Sequence, residues 1–352
     1  MRIGIAFDLK EDFDVPPQRD DLLEEYDSIE TVHAIARELE RLGHGVELLH
    51  GGRRFLRNVT DRPVDLVFNI AEGRGGRSRE AQIPALCELL EIPCTHSDAL
   101  ALALSLDKGL SVQVAKAGGV PTPLQHIVKA PGEEMAAGFP LPVVLKPLHE
   151  GSSMGVRNDG LITDCEVLPL RVRELLERYR QPVIVEEFLP GRELTVGIVG
   201  NSPPRIMGIM EIAPRDRPIG EFLYSIETKR NYLELVDYHC PPTGLSERTL
   251  VETGRLALKV YDIFGCQDVA RVDFRLDAQG GPRFLEINPL PGLSPTYSDL
   301  CIMASLINLP YATLIENIVN AAIERHWGEN PESEKKRQAP AASARSNHGR
   351  LQ

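Results

Sequence analysis

Three segments of the chain combine residue types and spacings that suit anion and metal chemistry. In Lys146-Pro147-Leu148-His149-Glu150-Gly151-Ser152-Ser153-Met154-Gly155-Val156, a lysine closes an apolar run and a small-residue loop follows. Small residues let backbone N–H groups approach an anion, and the serine hydroxyls add donors. Lys146 supplies a point charge suited to a phosphate. No GK[ST] ends the loop, so it is not the Walker pattern. In Val183-Ile184-Val185-Glu186-Glu187-Phe188-Leu189-Pro190-Gly191-Arg192-Glu193, an apolar strand ends in paired carboxylates and Glu193 follows a turn. Carboxylates and carbonyls of that kind match the amino and hydroxyl donors of a nucleoside; alone, the segment reads equally as a solvated acidic strand end. In the third segment, Asp273 interrupts an apolar strand, and Glu286 and Asn288 interrupt the next. Two residues apart, Glu286 and Asn288 project to one strand face. Three oxygen ligands without His or Cys suit Mg²⁺ bound together with phosphates, and placing them in apolar runs is costly unless they are used.

Elements must position these groups. Residues 2–7, 46–49 and 64–70 read as strands, alternating with helices over 29–42 and 79–90, the first capped by Asp27 with Glu30 as its capping-box partner. That alternation predicts a parallel α/β sheet, without the glycine fingerprint of a dinucleotide fold. A helix over 107–117 follows, then short strands over 142–147, 182–189, 194–199 and 205–212. A helix over 246–264 precedes strands 269–276 and 283–288, which flank the turn Asp277-Ala278-Gln279-Gly280-Gly281, and a last helix runs to Arg325. Beyond Trp327 the chain is poor in apolar residues and reads as a disordered tail over 328–352.

Composition narrows the function classes. With 352 residues, 42% hydrophobic and 26% charged, the chain has the balance of a globular protein of two or three domains. A net charge of −12 argues against a nucleic-acid surface. No apolar run reaches the roughly 18 residues of a membrane span. Six scattered cysteines without a CxxC pair, and no signal-peptide pattern, predict a reduced, cytoplasmic protein.

Taken in order, the motifs KPxxxGSSxGV, EEFLxGRELTV, RVDF and EINPLPG resemble those of the ATP-grasp superfamily, and within it the D-alanine–D-alanine ligase group, over residues 1–325. The resemblance implies three domains, at 1–104 (N-terminal α/β), 105–190 (central lid) and 191–327 (C-terminal, metal-binding), with ATP between two antiparallel sheets. It implies an ATP-dependent ligase that joins a carboxylate to an amine through an acyl phosphate, with ATP and two Mg²⁺ ions (Mn²⁺ as a substitute) as cofactors. Amino-acid-like small molecules are the implied partners, and a homodimer is the assembly expected. Carried over by position, Lys108, Lys146 and Lys229 would contact the phosphates. Ser152 and Ser153 would lie in the closing loop, and Glu186, Glu187, Leu189 and Glu193 would line the adenosine pocket. Asp273, Glu286 and Asn288 would hold the metal ions, Arg271 and the Gly292 amide would form the oxyanion site, and Glu24 would hold the first substrate's ammonium.

The sequence departs from that group where the acceptor should sit. After Gly292 it reads Leu293-Ser294-Pro295-Thr296-Tyr297-Ser298-Asp299-Leu300, so Tyr297 or Ser298 falls at the group's serine, with Asp299 close behind. Asp299 either meets the acceptor's carboxylate, which is unfavourable, or caps the following helix. Ala71-Glu72-Gly73-Arg74-Gly75-Gly76-Arg77 likewise replaces the group's histidine-glycine opening. The same chemistry on another amino acid or metabolite, a kinase-like activity, and a non-catalytic nucleotide-binding regulator are the competing readings.

Overall fold

A computed structural model describes residues 1–13, 20–133 and 139–328. The first part carries β1 (Arg2–Phe7), α1 (Ile29–Arg41), β2 (Gly45–Leu48), α2 (Gly52–Asp61), β3 (Leu66–Ile70), α3 (Gln82–Leu89), α4 (Ala99–Leu106) and α5 (Lys108–Ala117). Its strands form a parallel sheet in the order β2-β1-β3. Ile3, Ile5, Ala6 and Phe7 are all buried, as expected of a strand covered on both faces. The expected cap of α1 needs correcting. Ser28, not Asp27, is the N-cap residue, and Asp27 turns into the interior at 9% exposure. Two adjacent residues were both eligible caps, and burial separates them.

The second part carries β4 (Gln125–Val128), β5 (Val143–Pro147), β6 (Leu161–Ile162), α6 (Leu168–Tyr179) and β7 (Val183–Glu187). The strands form an antiparallel sheet ordered β4-β7-β5-β6. Its small core joins Val143, Leu145, Val183 and Val185 to Val172 and Leu176 of α6.

The third part carries β8 (Glu193–Val199), β9 (Arg205–Pro214), α7 (Ile226–Arg230), α8 (Tyr232–Leu235), β10 (Val236–His239), α9 (Glu247–Ile263), β11 (Val269–Leu276), β12 (Pro282–Asn288), α10 (Asp299–Leu306) and α11 (Tyr311–Trp327). Five antiparallel strands run β10-β9-β8-β11-β12. Asp277 closes the β11–β12 turn, its Oδ1 accepting from the N–H groups of Gln279 (3.0 Å) and Gly281 (2.8 Å). The α/β class, the N-terminal parallel sheet and the two antiparallel sheets therefore stand as the sequence implied. Helices α2, α4, α6, α7 and α8 and strands β4, β6 and β10 went unread. In α2 only Phe55 and Val59 are buried, too thin a stripe to stand out. The expected tail begins at Gly328, the last residue of the described chain, and residues 329–352 lie outside it.

One core unites the first and third parts: Ile3, Ile5, Phe68, Val32 and Ile35 pack with Val199, Val269, Leu314, Ile315 and Ile318. No single helix among the described residues is long and apolar enough to cross a membrane; α10 and α11, apolar enough as a pair, are bent by 115° and contribute Leu300, Leu314 and Ile318 to this core.

A buried ion pair fastens the same junction. Asp268 has a fully buried side chain and accepts from Arg325 Nη2 at 2.8 Å and from Asn201 Nδ2 at 2.9 Å. Arg325 also donates to the Cys94 carbonyl at 2.8 Å. Removing the arginine strands a buried carboxylate. Arg325→Met should therefore cost about 3 kcal/mol of stability, read as a lowered urea midpoint. Adding Asp268→Asn should restore part of it, and an additive second loss would refute the account.

Candidate active site

An inner cavity of about 100 Å³ lies between the two antiparallel sheets, lined by β5 and β7 on one side and β8, β11 and β12 on the other. Lys146 and Glu186, on adjacent strands, meet at 2.6 Å. Burial disfavours the charged lysine, but Glu186, together with Glu286 and Glu193, outweighs it and raises the Lys146 pKa. Gln125 Nε2 donates to the other Glu186 oxygen at 2.7 Å. Glu193 pairs with Arg275 at 3.2 Å, whose guanidinium stacks 4.5 Å above the Phe188 ring. Burial nevertheless raises the Glu193 pKa. Glu187 turns partly outward and accepts from the Leu124 N–H at 3.0 Å. Leu189 and Ser153 complete this lining.

The small-residue loop bends through left-handed backbone at Ser152 (φ 46°), Ser153 (φ 59°) and Gly155 (φ 78°). At Gly155 a Cβ would stand 2.5 Å from the Pro147 ring, so glycine is required twice over. Ser153 Oγ donates to the Tyr224 carbonyl at 2.8 Å, joining this loop to the one before α7. Residues that sequence reasoning missed hold the loop from the other side. Glu25 accepts from the Gly151 N–H at 2.5 Å and pairs with Arg79 at 2.6 Å, and Arg79 Nη1 donates to the His149 carbonyl at 2.7 Å. Asp21, fully buried, accepts from the Gly155 N–H at 3.2 Å and from the Tyr179 hydroxyl. Next to it, half-exposed Asp20 gathers Arg157 (2.6 Å), Arg178 (2.8 Å) and Arg230 (3.1 Å).

On the five-stranded sheet the register sets Asp273 opposite Glu286 and Arg271 opposite Asn288. Arg271 donates to both Asp273 oxygens (2.8–3.1 Å), and Asn288 Nδ2 donates to Asp273 at 3.2 Å. Lys108, at the start of α5, reaches Glu286 at 2.5 Å. Enclosure would raise the Glu286 pKa, but Lys108, then Arg271 and Lys146, hold the carboxyl far below its usual range. Among the described residues no trio of His, Cys, Asp or Glu is gathered to enclose an ion. Two carboxylates and an amide, at least one carboxylate firmly ionised, fit a hard cation that shares its shell with phosphate oxygens.

An outer cavity of about 380 Å³ opens beyond these strands. Ser152, Asn288, Gly292, Glu24, Tyr297 and Ser298 all line it. Glu24 is tied to Arg230 at 2.5 Å. Ser298 Oγ is taken up locally, accepting from the Ser294 N–H at 2.9 Å. Tyr297 is 44% exposed. Asp299 is the first residue of α10, not its cap; Ser298 holds that place. Its buried carboxylate accepts from the Tyr224 hydroxyl at 3.1 Å and lies 3.6 Å from Arg271. The Tyr224 and Tyr238 hydroxyls meet at 2.8 Å, and burial, with Asp299 beside them, raises both of their pKa values. Sequence reasoning missed this tyrosine pair, since neither spacing nor a motif marks it.

Six residues line both cavities: Lys108, Tyr224, Lys229, Arg271, Glu286 and Asp299. The two spaces thus meet at a wall of charge in which Lys229, 5.3 Å above the Tyr224 ring, pairs with no described carboxylate.

The family model described as D-ala D-ala ligase C-terminus matches residues 124–320, which include both antiparallel sheets. The chain belongs to the D-alanine–D-alanine ligase family. A D-alanine–D-alanine ligase of Sinorhizobium fredii is 35% identical over 274 residues, covering 76% of this chain and 84% of that protein. Among solved structures, the D-alanine–D-alanine ligase of Bacillus anthracis complexed with ATP matches with a TM-score of 0.70 at 19% identity, over 92% of this chain and 98% of that one. The VanG D-Ala:D-Ser ligase of Enterococcus faecalis matches with a TM-score of 0.68 at 18% identity, over 91% and 99%. These two establish the common fold.

Within this family member, Asp27 on the outer cavity offers a pH test. Burial pushes its carboxyl up to about 7, against the smaller pull of Lys10. Below the unfolded value near 4 both states are protonated and nothing is lost. Between there and about 7 the unfolded state alone ionises, so stability falls as pH rises. Asp27→Asn should raise the melting temperature at pH 8 and do so progressively less toward pH 4. A gain independent of pH would count against the burial account.

Proposed function

We propose that the protein is an ATP-dependent carboxylate–amine ligase whose reaction takes place where the two cavities meet. The shared wall of Lys108, Tyr224, Lys229, Arg271, Glu286 and Asp299 carries this reading. Nucleotide in the inner cavity would present its terminal phosphate there, and amino-acid-like substrates in the outer cavity would present a carboxylate and an amine. The four-stranded part, β4 to β7, within the span 105–190 expected of the lid, would act as the lid, and family membership supports ATP use and amide formation.

The donor carboxylate attacks the γ-phosphorus, forming a P–O bond as the bond to ADP breaks. Two anions must approach, and Lys108, Lys146 and Lys229 offset their repulsion. Asp273, Glu286 and Asn288 would hold Mg²⁺, which when bound neutralises phosphate charge. The acceptor amine then attacks the acyl carbon, and its proton leaves with the collapse that releases inorganic phosphate. Arg271 and the Gly292 N–H would stabilise the oxyanion of that step. Ser152 and Ser153, braced through Glu25 and Tyr224, would keep water from the acyl phosphate. No nucleophilic side chain is needed. A regulator that only bound nucleotide would have no use for a charged wall facing a second cavity.

Lys229 offers the mildest probe, because no described carboxylate is stranded by its loss. Lys229→Met should lower donor-dependent ADP release by roughly a hundredfold while the melting temperature stays unchanged. Glu286→Gln should make turnover demand far more Mg²⁺. Full activity in both variants would remove the basis for the reading.

A further inference from the structure

Building on the ligase reading, we infer that the acceptor is a primary amine without a carboxylate on its α-carbon, and that Asp299 imposes this choice. Among the described residues, Arg271 is the only arginine common to both cavities. It already faces three acids: Asp273 at 2.8 Å, Asp299 at 3.6 Å and Glu286 at 3.9 Å. Two of these belong to the set assigned to Mg²⁺. Asp299 does not; it comes from α10, and its charge stays beside the guanidinium when the other two turn to a metal ion.

Asp299 is also held in place. It is 7% exposed, and the Tyr224 hydroxyl, itself bonded to Tyr238, donates to it. A substrate carboxylate seeking Arg271 would have to displace this anchored one or sit against it. Lys229, the unmatched cation of the shared wall, is assigned to the terminal phosphate, so an α-amino acid at the junction meets Arg271 and Asp299. Its nitrogen must reach the junction, and its carboxylate carbon is only about 2.5 Å from that nitrogen. Like charges in an enclosed site are strongly disfavoured.

The rest of the outer cavity offers little compensation. Among the described residues, its lining holds seven acids against five lysines and arginines. Arg230 and Lys108, like Arg271, are already matched, by Glu24 and Glu286, while Lys229 is assigned to the terminal phosphate and Lys10 is drawn toward Asp27 beside the Tyr297 ring. An amide in place of the α-carboxylate removes the repulsion and gives Asp299 an N–H to accept. An amine bearing no carbonyl group at all removes it too. Asp299 is then a specificity residue: it acts on which amine is admitted, while bond formation stays with the groups named above.

The test separates this inference from the reading it rests on. In a first stage the wild-type enzyme, Mg-ATP and hydroxylamine are incubated with a panel of D- and L-amino acids as donors. A hydroxamate identifies the donor and supports the ligase reading; no hydroxamate with any donor overturns both. In a second stage that donor is offered D-alanine, D-alaninamide and ethylamine as acceptors, with product masses and ADP release recorded. D-alaninamide should exceed D-alanine in kcat/KM by roughly tenfold or more. Asp299→Asn should shrink that ratio toward unity by improving D-alanine use, which a merely structural role would not do. D-alanine used as well as its amide by the wild type, or a ratio unchanged in Asp299→Asn, overturns the inference and leaves the ligase reading standing.

Discussion

Charge held out of water is the constraint on which this site depends. Lys146 with Glu186, Lys108 with Glu286 and Arg271 with Asp273 form three ion pairs within the cavities, each joining different elements or successive positions on one strand face. Such pairs persist only when geometry and extra hydrogen bonds match the desolvation they suffer. That requirement explains Gln125 on Glu186, Asn288 and Thr195 on Asp273, and Tyr224 on Asp299. It also makes the site organised before substrate arrives. On the proposed reading, incoming phosphate would exchange one set of anions for another around lysines already in place, leaving less reorganisation for the reaction itself.

Much of this was legible in the sequence, for a physical reason. Asp273, Glu286 and Asn288 interrupt runs that could have been wholly apolar, and such interruptions are unfavourable unless used. Lys146 and the loop after it are readable because small residues, a terminal lysine and the following strand are contiguous. The sheets are equally plain, since strands such as Val183–Glu187 and Val269–Leu276 are strongly apolar on their buried faces.

What the sequence hides is pairing across distance. Glu25 and Arg79 lie 54 residues apart, and each alone looks like an ordinary surface charge. Only the fold brings them under the Gly151 loop. Asp299 was open between two roles because both depend on where α10 starts, and a shift of one residue decides the direction of its carboxylate. The same one-residue ambiguity displaced the cap of α1 from Ser28 to Asp27. Sequence reasoning resolves which residues are costly and leaves unresolved which of two neighbours faces inward.

Asp20 carries a consequence for how cleanly the enzyme couples its two half-reactions. It draws together Arg157 and Arg178 from the four-stranded part and Arg230 from α7, and its carboxyl is held far below the usual range, chiefly by the hydrogen bond from Arg157. Its side chain is 48% exposed, so mobile ions compete with these contacts across a screening length of about 8 Å at physiological ionic strength. On the ligase reading proposed above, a loosened clasp would let the acyl phosphate meet water before it meets an amine. Added salt would then act as an uncoupler: ATP would continue to be consumed while the fraction of turnovers ending in an amide bond declined.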